Sequence, residues 1–342
     1  MPDSLRVVLV GCGGISAAWL DAAANLEGLQ LVGLVDIVEA AAHSRAREYG
    51  LGDAVTGSDL GAVLDATAPD IVINCTIPEA HTGVTIEALQ HGCHVLSEKP
   101  LADSLENAQR TIETAKQTGK TFAVMQNRRY IEPIRRLRGF LDSGRLGALT
   151  TVNTDFYIGA HFGGFRDHMP HVLLLDMAIH TFDAARLLTG ADPVSAYCHE
   201  WNPAGSWYDR DASAIAIFEM TGGITYTYRG SWCAEGLPTS WEGQWRITGS
   251  QGTATWDGGD DLWAQVVAET GGFQSTLHDV DLSTPVQTSK VGGHAGVIAD
   301  FVRCVRDGET PETVCTDNIR SLAMVLGAIE SAETGQRVAV TW

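Results

Sequence analysis

The sequence predicts an α/β protein: an N-terminal doubly wound parallel sheet, then a C-terminal α+β domain with a large, open, mostly antiparallel sheet. Three observations predict it. Up to about residue 126, short and nearly continuous apolar runs alternate with stretches rich in Ala, Glu and Leu. Runs of that kind are what a parallel sheet covered on both faces requires. Beyond about residue 130, strand-like runs follow one another, and many alternate apolar with polar residues, as in a sheet with one covered face. The length of 342 residues suits about two domains of ~150 residues each.

In order, the first strands are expected at 5–10 (LRVVLV), 29–36, 70–76, 94–98 and 121–126. Helices are expected between them at 15–27, 38–50, 79–91 and 103–118. The boundary is placed after Gln126, giving domains 1–126 and 127–342. In the second domain a helix at 131–143 leads to TTVNTDFYI (150–158). An apolar helix at 172–190 ends on Gly190, a helix stop. Strand-like runs cover 194–201, 213–220, 224–233, 241–249, 253–258, 263–269 and 275–282. Helices at about 294–307 and 316–334 and the strand RVAVTW close the chain.

Composition excludes several classes. Hydrophobic residues make up 44% and charged residues 19%, and mean hydropathy is near zero, which argues for a soluble globular chain and against disorder. No apolar run reaches the ~18 residues of a membrane helix. Residues 1–10 carry one Arg and a short apolar run followed by glycines, so a signal peptide is not expected and a cytoplasmic location is. Net charge is −19, from 42 acids and 23 bases. Such a surface repels phosphate backbones, so neither nucleic acid nor membrane is an expected partner. Seven scattered cysteines without a C-x-x-C pair indicate neither a disulfide framework nor a cysteine zinc site.

Three motifs carry chemistry. Gly11-Cys12-Gly13-Gly14-Ile15-Ser16 follows the first strand and opens a helix, the context a dinucleotide fingerprint demands. Gly11 allows the tight turn, and Gly13 lets backbone approach a pyrophosphate at the helix N-terminus. Asp36 ends the second strand, 20 residues beyond Ser16, where a carboxylate accepts from both adenosine ribose hydroxyls. A 2′-phosphate beside Asp36 meets like charge, worth a few kcal/mol at ~4 Å and an effective dielectric of ~20. Ile37 and Val38 offer no compensating cation; only Arg45 and Arg47 lie near. NAD is therefore expected over NADP.

The second motif, Glu98-Lys99-Pro100, stands at the end of a strand, and ligands in open α/β sheets bind beyond the carboxyl ends of strands. Lys99, one of only four lysines, is a candidate functional cation; its bland alternative is a solvated loop residue. The third, Asp176-x-x-x-His180, places a carboxylate and an imidazole on one face of the apolar helix. The pair reads either as an oriented acid–base couple or as a satisfied core pair. His168, His171, Asp176 and His180 also fall within 13 residues, a spacing that admits a metal reading. No metal is expected, because hydride chemistry needs none where a lysine and a histidine are present.

Taken together and in this order, the motifs resemble the Gfo/Idh/MocA oxidoreductases (glucose–fructose oxidoreductase, inositol dehydrogenase and relatives) over essentially the whole chain. Asn127-Arg128-Arg129-Tyr130 resembles a further family element. The resemblance implies an N-terminal Rossmann domain, NAD(P) in the crevice between the domains, and dimers or tetramers packed through the sheets. It gives Gly11, Gly13, Gly14, Ile15, Ser16, Asp36, Ile37, Thr76, Pro78, His81, Glu98, Lys99 and Arg128 to the cofactor. It gives Lys99, Asp176 and His180 to catalysis. The lead-in to the catalytic helix, His168-Met169-Pro170-His171, departs from the family's glycine-rich pattern.

The expected reaction is reversible oxidation of a secondary hydroxyl on a sugar, sugar derivative or cyclitol. His180, oriented by Asp176, takes the hydroxyl proton, and Lys99 favours the developing alkoxide. The expected substrate pocket is lined by Lys99, Arg129, Tyr157, His161, His168, Asp176, His180 and Trp232. Of Trp201, Trp207, Trp232, Trp241 and Trp245, at least three are expected in the sheet core or a subunit interface. Competing readings are an NAD-dependent glycoside enzyme that oxidises C3 transiently, a non-catalytic dinucleotide-binding regulator, and a metal-dependent hydrolase or isomerase.

Overall fold

The computed structural model describes residues 4–283 and 288–342. Two compact units are present, Met1–Tyr130 with Ser289–Leu322, and Ile131–Thr288 with Ala323–Trp342.

The chain begins β1 (Leu5–Val10), α1 (Ser16–Ala24), β2 (Leu29–Val35), α2 (Glu39–Glu48), β3 (Val55–Gly57) and α3 (Leu60–Thr67). It continues through β4 (Ile71–Asn74), α4 (Pro78–Gln90), β5 (His94–Ser97), α5 (Leu105–Thr118) and β6 (Phe122–Val124). These six strands form one sheet in the order β3-β2-β1-β4-β5-β6, parallel throughout. The apolar runs explain it: Val7, Val8 and Leu9 in β1 are fully buried, so both faces of the strand are covered. Strand order reverses between β1 and β4, which opens a crevice beyond the strand ends. The edge strand β3 and helix α3 were not expected. A three-residue strand with Val55 40% exposed gives no periodic signal.

The second unit holds α6 (Glu132–Asp142), β7 (Leu149–Tyr157), the short α7 (Phe165–His168), a π-helical stretch (Leu173–Ala178) that continues as α8 (Ile179–Thr189), β8 (Pro193–Trp201), β9 (Ser213–Met220) and β10 (Thr225–Ser231). Then come β11 (Gln244–Gly249), β12 (Gly252–Trp256), β13 (Leu262–Glu269) and β14 (Thr276–Val280). After α9 (His294–Asp307) and α10 (Cys315–Thr334), β15 (Val338–Ala339) closes the sheet. Its nine strands run β14-β13-β12-β11-β7-β10-β9-β8-β15. Only β7 and β10 pair in parallel; the other neighbours are antiparallel. One face is covered. Phe182 of α8 meets Phe218 and Tyr228 edge-on at 4.9 and 5.3 Å between ring centres.

The expected division at Gln126 differs from the observed units. Residues 127–130 and 289–322 join the first unit. Packing is the reason: Val297, Ile298, Phe301, Val302 and Val305 of α9 belong to the same apolar core as Leu5, Val7 and Trp19. The Tyr130 hydroxyl donates to Asp300 Oδ2 at 2.7 Å. The final strand is also shorter than RVAVTW suggested. Among the described residues no helix is long and apolar enough to cross a membrane.

Phe182 is fully buried and holds α8 to the sheet. Phe182→Ala is expected to cost about 3–5 kcal/mol in urea denaturation; a loss below about 1 kcal/mol would show that this contact does not anchor the helix.

Candidate active site

The glycine turn is forced by its surroundings. Gly11 has φ +90°, and a Cβ there would stand 2.6 Å from the Cys75 carbonyl. Ser16, at the fingerprint's third position, is buried and donates from Oγ to the Gly13 carbonyl at 2.6 Å. Gly13, Gly14 and Ile15 are exposed, and nothing lies within 4 Å of a Cβ built on either glycine. Among the described residues no acceptor takes the N–H of Gly13, Gly14 or Ile15. Asp36 accepts from the Cys12 N–H and the Val38 N–H, both at 2.8 Å, while Ile37 is 93% exposed. Open space, unengaged amides and a carboxylate closing β2 fit the pyrophosphate and ribose of NAD.

Several other expected cofactor residues lie in or beside the loops of this unit. His81 is buried, with Nδ1 2.7 Å from the Pro100 carbonyl and Nε2 3.0 Å from that of Thr76. Burial pushes its pKa down against those two bonds. Both ring nitrogens of His81, expected at the cofactor, are thus turned to backbone carbonyls. Buried Asn74, which the sequence did not single out, accepts from the Thr76 hydroxyl at 2.6 Å and donates to the His81 carbonyl at 3.2 Å. Pro78 begins α4. Glu98 is 7% exposed; it accepts from Trp19 Nε1 at 2.6 Å and from the Lys99 N–H at 3.1 Å. The Lys99–Pro100 bond is cis, and Lys99 stands half-buried just past β5. Arg128 is half-buried in a 3₁₀ turn. Arg129 is 4% exposed and donates to Asp317 Oδ2 at 3.0 Å. Its guanidinium is used within the unit, which corrects its assignment to substrate.

In the second unit, Asp176 lies in the π-helical stretch and His180 in the first turn of α8. Both are half-buried, while Leu173, Leu174, Met177, Ala178 and Ile179 beside them are buried. π turns recur at functional sites. Arg166, missed by the sequence reading, donates from Nε to Asp176 Oδ2 at 2.8 Å. Its guanidinium carbon lies 4.9 and 4.8 Å from the ring centres of Phe162 and Phe165. The available signal was an arginine beside two aromatics, ten residues before the motif.

Tyr157 ends β7 half-buried, and burial, with Asp155 nearby, raises its phenol pKa. Exposed His161 stacks on Trp207 at 3.7 Å and bonds Glu235 at 2.9 Å. Exposed His168 bonds Asp209 at 2.5 Å. Trp232 is 1% exposed, edge-on to Phe156 and Phe162 at 5.0 and 5.1 Å. It is core, which corrects its expected place against substrate. Of the five tryptophans only Trp232 and Trp245 are buried; Trp201 and Trp207 are half-buried and Trp241 is exposed. His171, with φ +50°, bonds Glu200 Oε2 at 2.5 Å. Among the described residues no three His, Cys, Asp or Glu side chains are grouped to hold a metal ion.

A glycine turn after the first strand of a parallel sheet, with a carboxylate ending the second, defines a dinucleotide-binding domain of the NAD type. The chain belongs to the GFO/IDH/MocA oxidoreductase family: the family's sequence profile for its NAD-binding Rossmann fold matches residues 5–126, and that for its C-terminal domain matches 134–255. The chain is 23% identical to a 1,5-anhydro-D-fructose reductase of Ensifer adhaerens, covering 96% of each. It is 22% identical to an inositol 2-dehydrogenase of Rhizobium meliloti, over 98% of this chain and 99% of the relative. A solved oxidoreductase from Agrobacterium radiobacter, in complex with NAD+, L-tartaric acid and magnesium, has the same fold, with a TM-score of 0.85, 21% identity and 98% of each chain covered.

His171 and Glu200 make the lead-in to the π turn pH-sensitive. The Glu200 hydrogen bond raises the His171 pKa above 6.5, burial opposes it, and the Glu200 and Glu333 charges add to it. Burial raises the Glu200 carboxyl above 4.5, with His171 pulling the other way. Both groups bind protons more tightly folded than unfolded, so their contribution is present at low pH and lost as pH rises through the raised values. The unfolding midpoint is therefore expected to fall from about pH 6 to about pH 9, and less steeply in His171→Gln. Parallel profiles for the two proteins would remove the pair from this account.

Proposed function

We propose that this protein catalyses the NAD-dependent, reversible oxidation of a secondary hydroxyl on a sugar, sugar derivative or cyclitol. The observation that carries the proposal is the placement of Asp176 and His180 four residues apart, at the join of the π-helical stretch and α8. Both residues are half-buried among buried Leu173, Leu174, Met177, Ala178 and Ile179, and the Asp176 carboxylate is oriented by Arg166. A carboxylate held by an arginine beside an imidazole on one helix face is an arrangement suited to moving a proton. The relatives named for sugar and cyclitol oxidoreduction support the substrate class.

Bound NAD supplies the hydride acceptor. His180 accepts the hydroxyl proton, a role that suits an imidazole near neutral pH. Asp176 steadies the positive charge His180 then acquires. Lys99 stabilises the alkoxide oxygen through its charge. Asp36 favours NAD, because a 2′-phosphate would add like charge beside it. Tyr157, His161 and His168 are proposed to read the substrate's other hydroxyls.

The active form is proposed to be a homo-oligomer joined through the open sheet face. Tyr197, Ile215, Ile217 and Trp263 are 46, 41, 45 and 57% exposed there, beside a groove of about 1040 Å³ lined in part by Asp155, Arg229 and Arg246. Apolar side chains ranked on an open face suit a self-complementary contact.

The test is formation of reduced nicotinamide from NAD+ across a panel of cyclitols, aldoses and glycosides. Turnover with one class is expected. NAD+ binding without turnover on any would refute net oxidation and favour transient oxidation or a regulator. His180→Ala is expected to lower turnover about 10²–10⁴-fold with NAD+ affinity within about twofold; an unchanged rate would remove His180 from the mechanism. In sedimentation velocity the native protein is expected as a dimer or tetramer, and Ile217→Asp as smaller species. A monomeric native protein would sink the sheet-face contact.

A further inference from the structure

Arg45 and Arg47 are the cations that could have offset a phosphate beside Asp36. The structure employs Arg45 elsewhere. Arg45 and Tyr49 lie four residues apart, the last turn of α2 and its cap, and so share a helix face. The Tyr49 hydroxyl donates to Asp21 at 2.8 Å and lies 3.2 Å from the Ala17 carbonyl, tying α2 to α1. The Arg45 guanidinium carbon stands 5.9 Å from the Tyr49 ring centre. Nη1 pairs with Glu48 at 2.8 Å. Nη2 donates to the Gly13 carbonyl at 3.0 Å and lies 3.4 Å from that of Cys12. The side chain is 14% exposed.

The Gly13 carbonyl therefore takes three donors: Arg45 Nη2, Ser16 Oγ at 2.6 Å and the Ser16 N–H at 3.2 Å. In a trans peptide the N–H points opposite to the preceding C=O. Fixing the carbonyls of Cys12 and Gly13 on one side aims the N–H groups of Gly13 and Gly14 to the other. Those are amides without an acceptor among the described residues, over open space. Successive N–H groups at a helix N-terminus form an anion-binding concavity. Two adjacent glycines would otherwise leave that concavity free to rearrange.

We infer that Arg45 is a cofactor-positioning residue: it locks the glycine turn with its amides presented to the NAD pyrophosphate, and it does not read a 2′-phosphate. The guanidinium acts through the backbone, so it strengthens phosphate binding without itself touching the ligand. Any ligand that carries the pyrophosphate benefits, whatever stands on its ribose.

The test is isothermal titration of the full chain with NAD+, NADP+, ADP-ribose and AMP. Arg45→Met is expected to raise the dissociation constants of NAD+ and ADP-ribose by about tenfold, that of NADP+ by the same factor, and that of AMP, which lacks the pyrophosphate, by about twofold or less. Arg45→Lys, charged but without a second nitrogen to hold Glu48 while the first bonds the carbonyls, is expected to fall between. Glu48→Gln frees the guanidinium from one anchor and is expected to cost about two- to threefold. Unfolding midpoints identify any variant that fails to fold, in which case Arg45→Lys and Glu48→Gln decide. Affinities for NAD+ and ADP-ribose unchanged within about twofold would overturn the inference. So would a loss confined to NADP+, which would make Arg45 a 2′-phosphate ligand, and an equal loss for AMP, which would place its effect on the adenosine end.

Discussion

A single carboxylate buried beneath the cofactor turn organises the first unit. Glu98 sits just past β5, 7% exposed, and its two oxygens are held by the Trp19 indole of α1 and the Lys99 amide. A buried charge is tolerated only while such donors stay in place. The helix that follows the glycine turn and the loop that carries Lys99 are thereby fixed to one point. Trp19 in turn meets His294 of α9 edge-on at 6.3 Å. His81 is likewise turned inward, its two ring nitrogens facing the Pro100 and Thr76 carbonyls. Polar side chains turned inward hold the loops of this unit, while Gly13, Gly14 and Ile37 are exposed.

The second unit uses charge differently. From residue 161 to residue 171, every histidine and Arg166 has a carboxylate partner drawn from another segment: Glu235, Asp176, Asp209 and Glu200. A chain carrying net charge −19 has acids in surplus, so a basic loop finds partners readily. The His161 and His168 pairs are exposed and weak one by one, and the Arg166–Asp176 pair is half-buried. The His171–Glu200 pair differs, because Glu200 is buried at 3% side-chain exposure.

Fold class, strand runs and the three motifs were legible because they are local: a glycine turn, a carboxylate ending a strand, a polar pair at helical spacing. What the sequence hid was reach. Arg129 reads as a site cation until Asp317 arrives from 188 residues away. Trp232 reads as a sugar platform until Phe156 and Phe162 enclose it. His81 stands in a matching loop motif, yet its ring serves the backbone. Arg166 lay in plain view, but nothing in its spacing named Asp176. Local rules give elements and chemistry; which face a side chain turns is set by contacts of long sequence separation.

That α9 completes the core of the first unit bears on how the chain is made. Leu5, Val7 and Trp19 share their cluster with Val297, Phe301 and Val305, and the Tyr130–Asp300 bond spans 170 residues. On a ribosome the glycine turn and its sheet emerge early, but the helix that covers them follows after a further interval of roughly 10–30 s at ordinary elongation rates. For that interval the nascent unit shows an apolar flank to solvent, the kind of surface chaperones hold. Vectorial synthesis can therefore start this unit first but cannot finish it first.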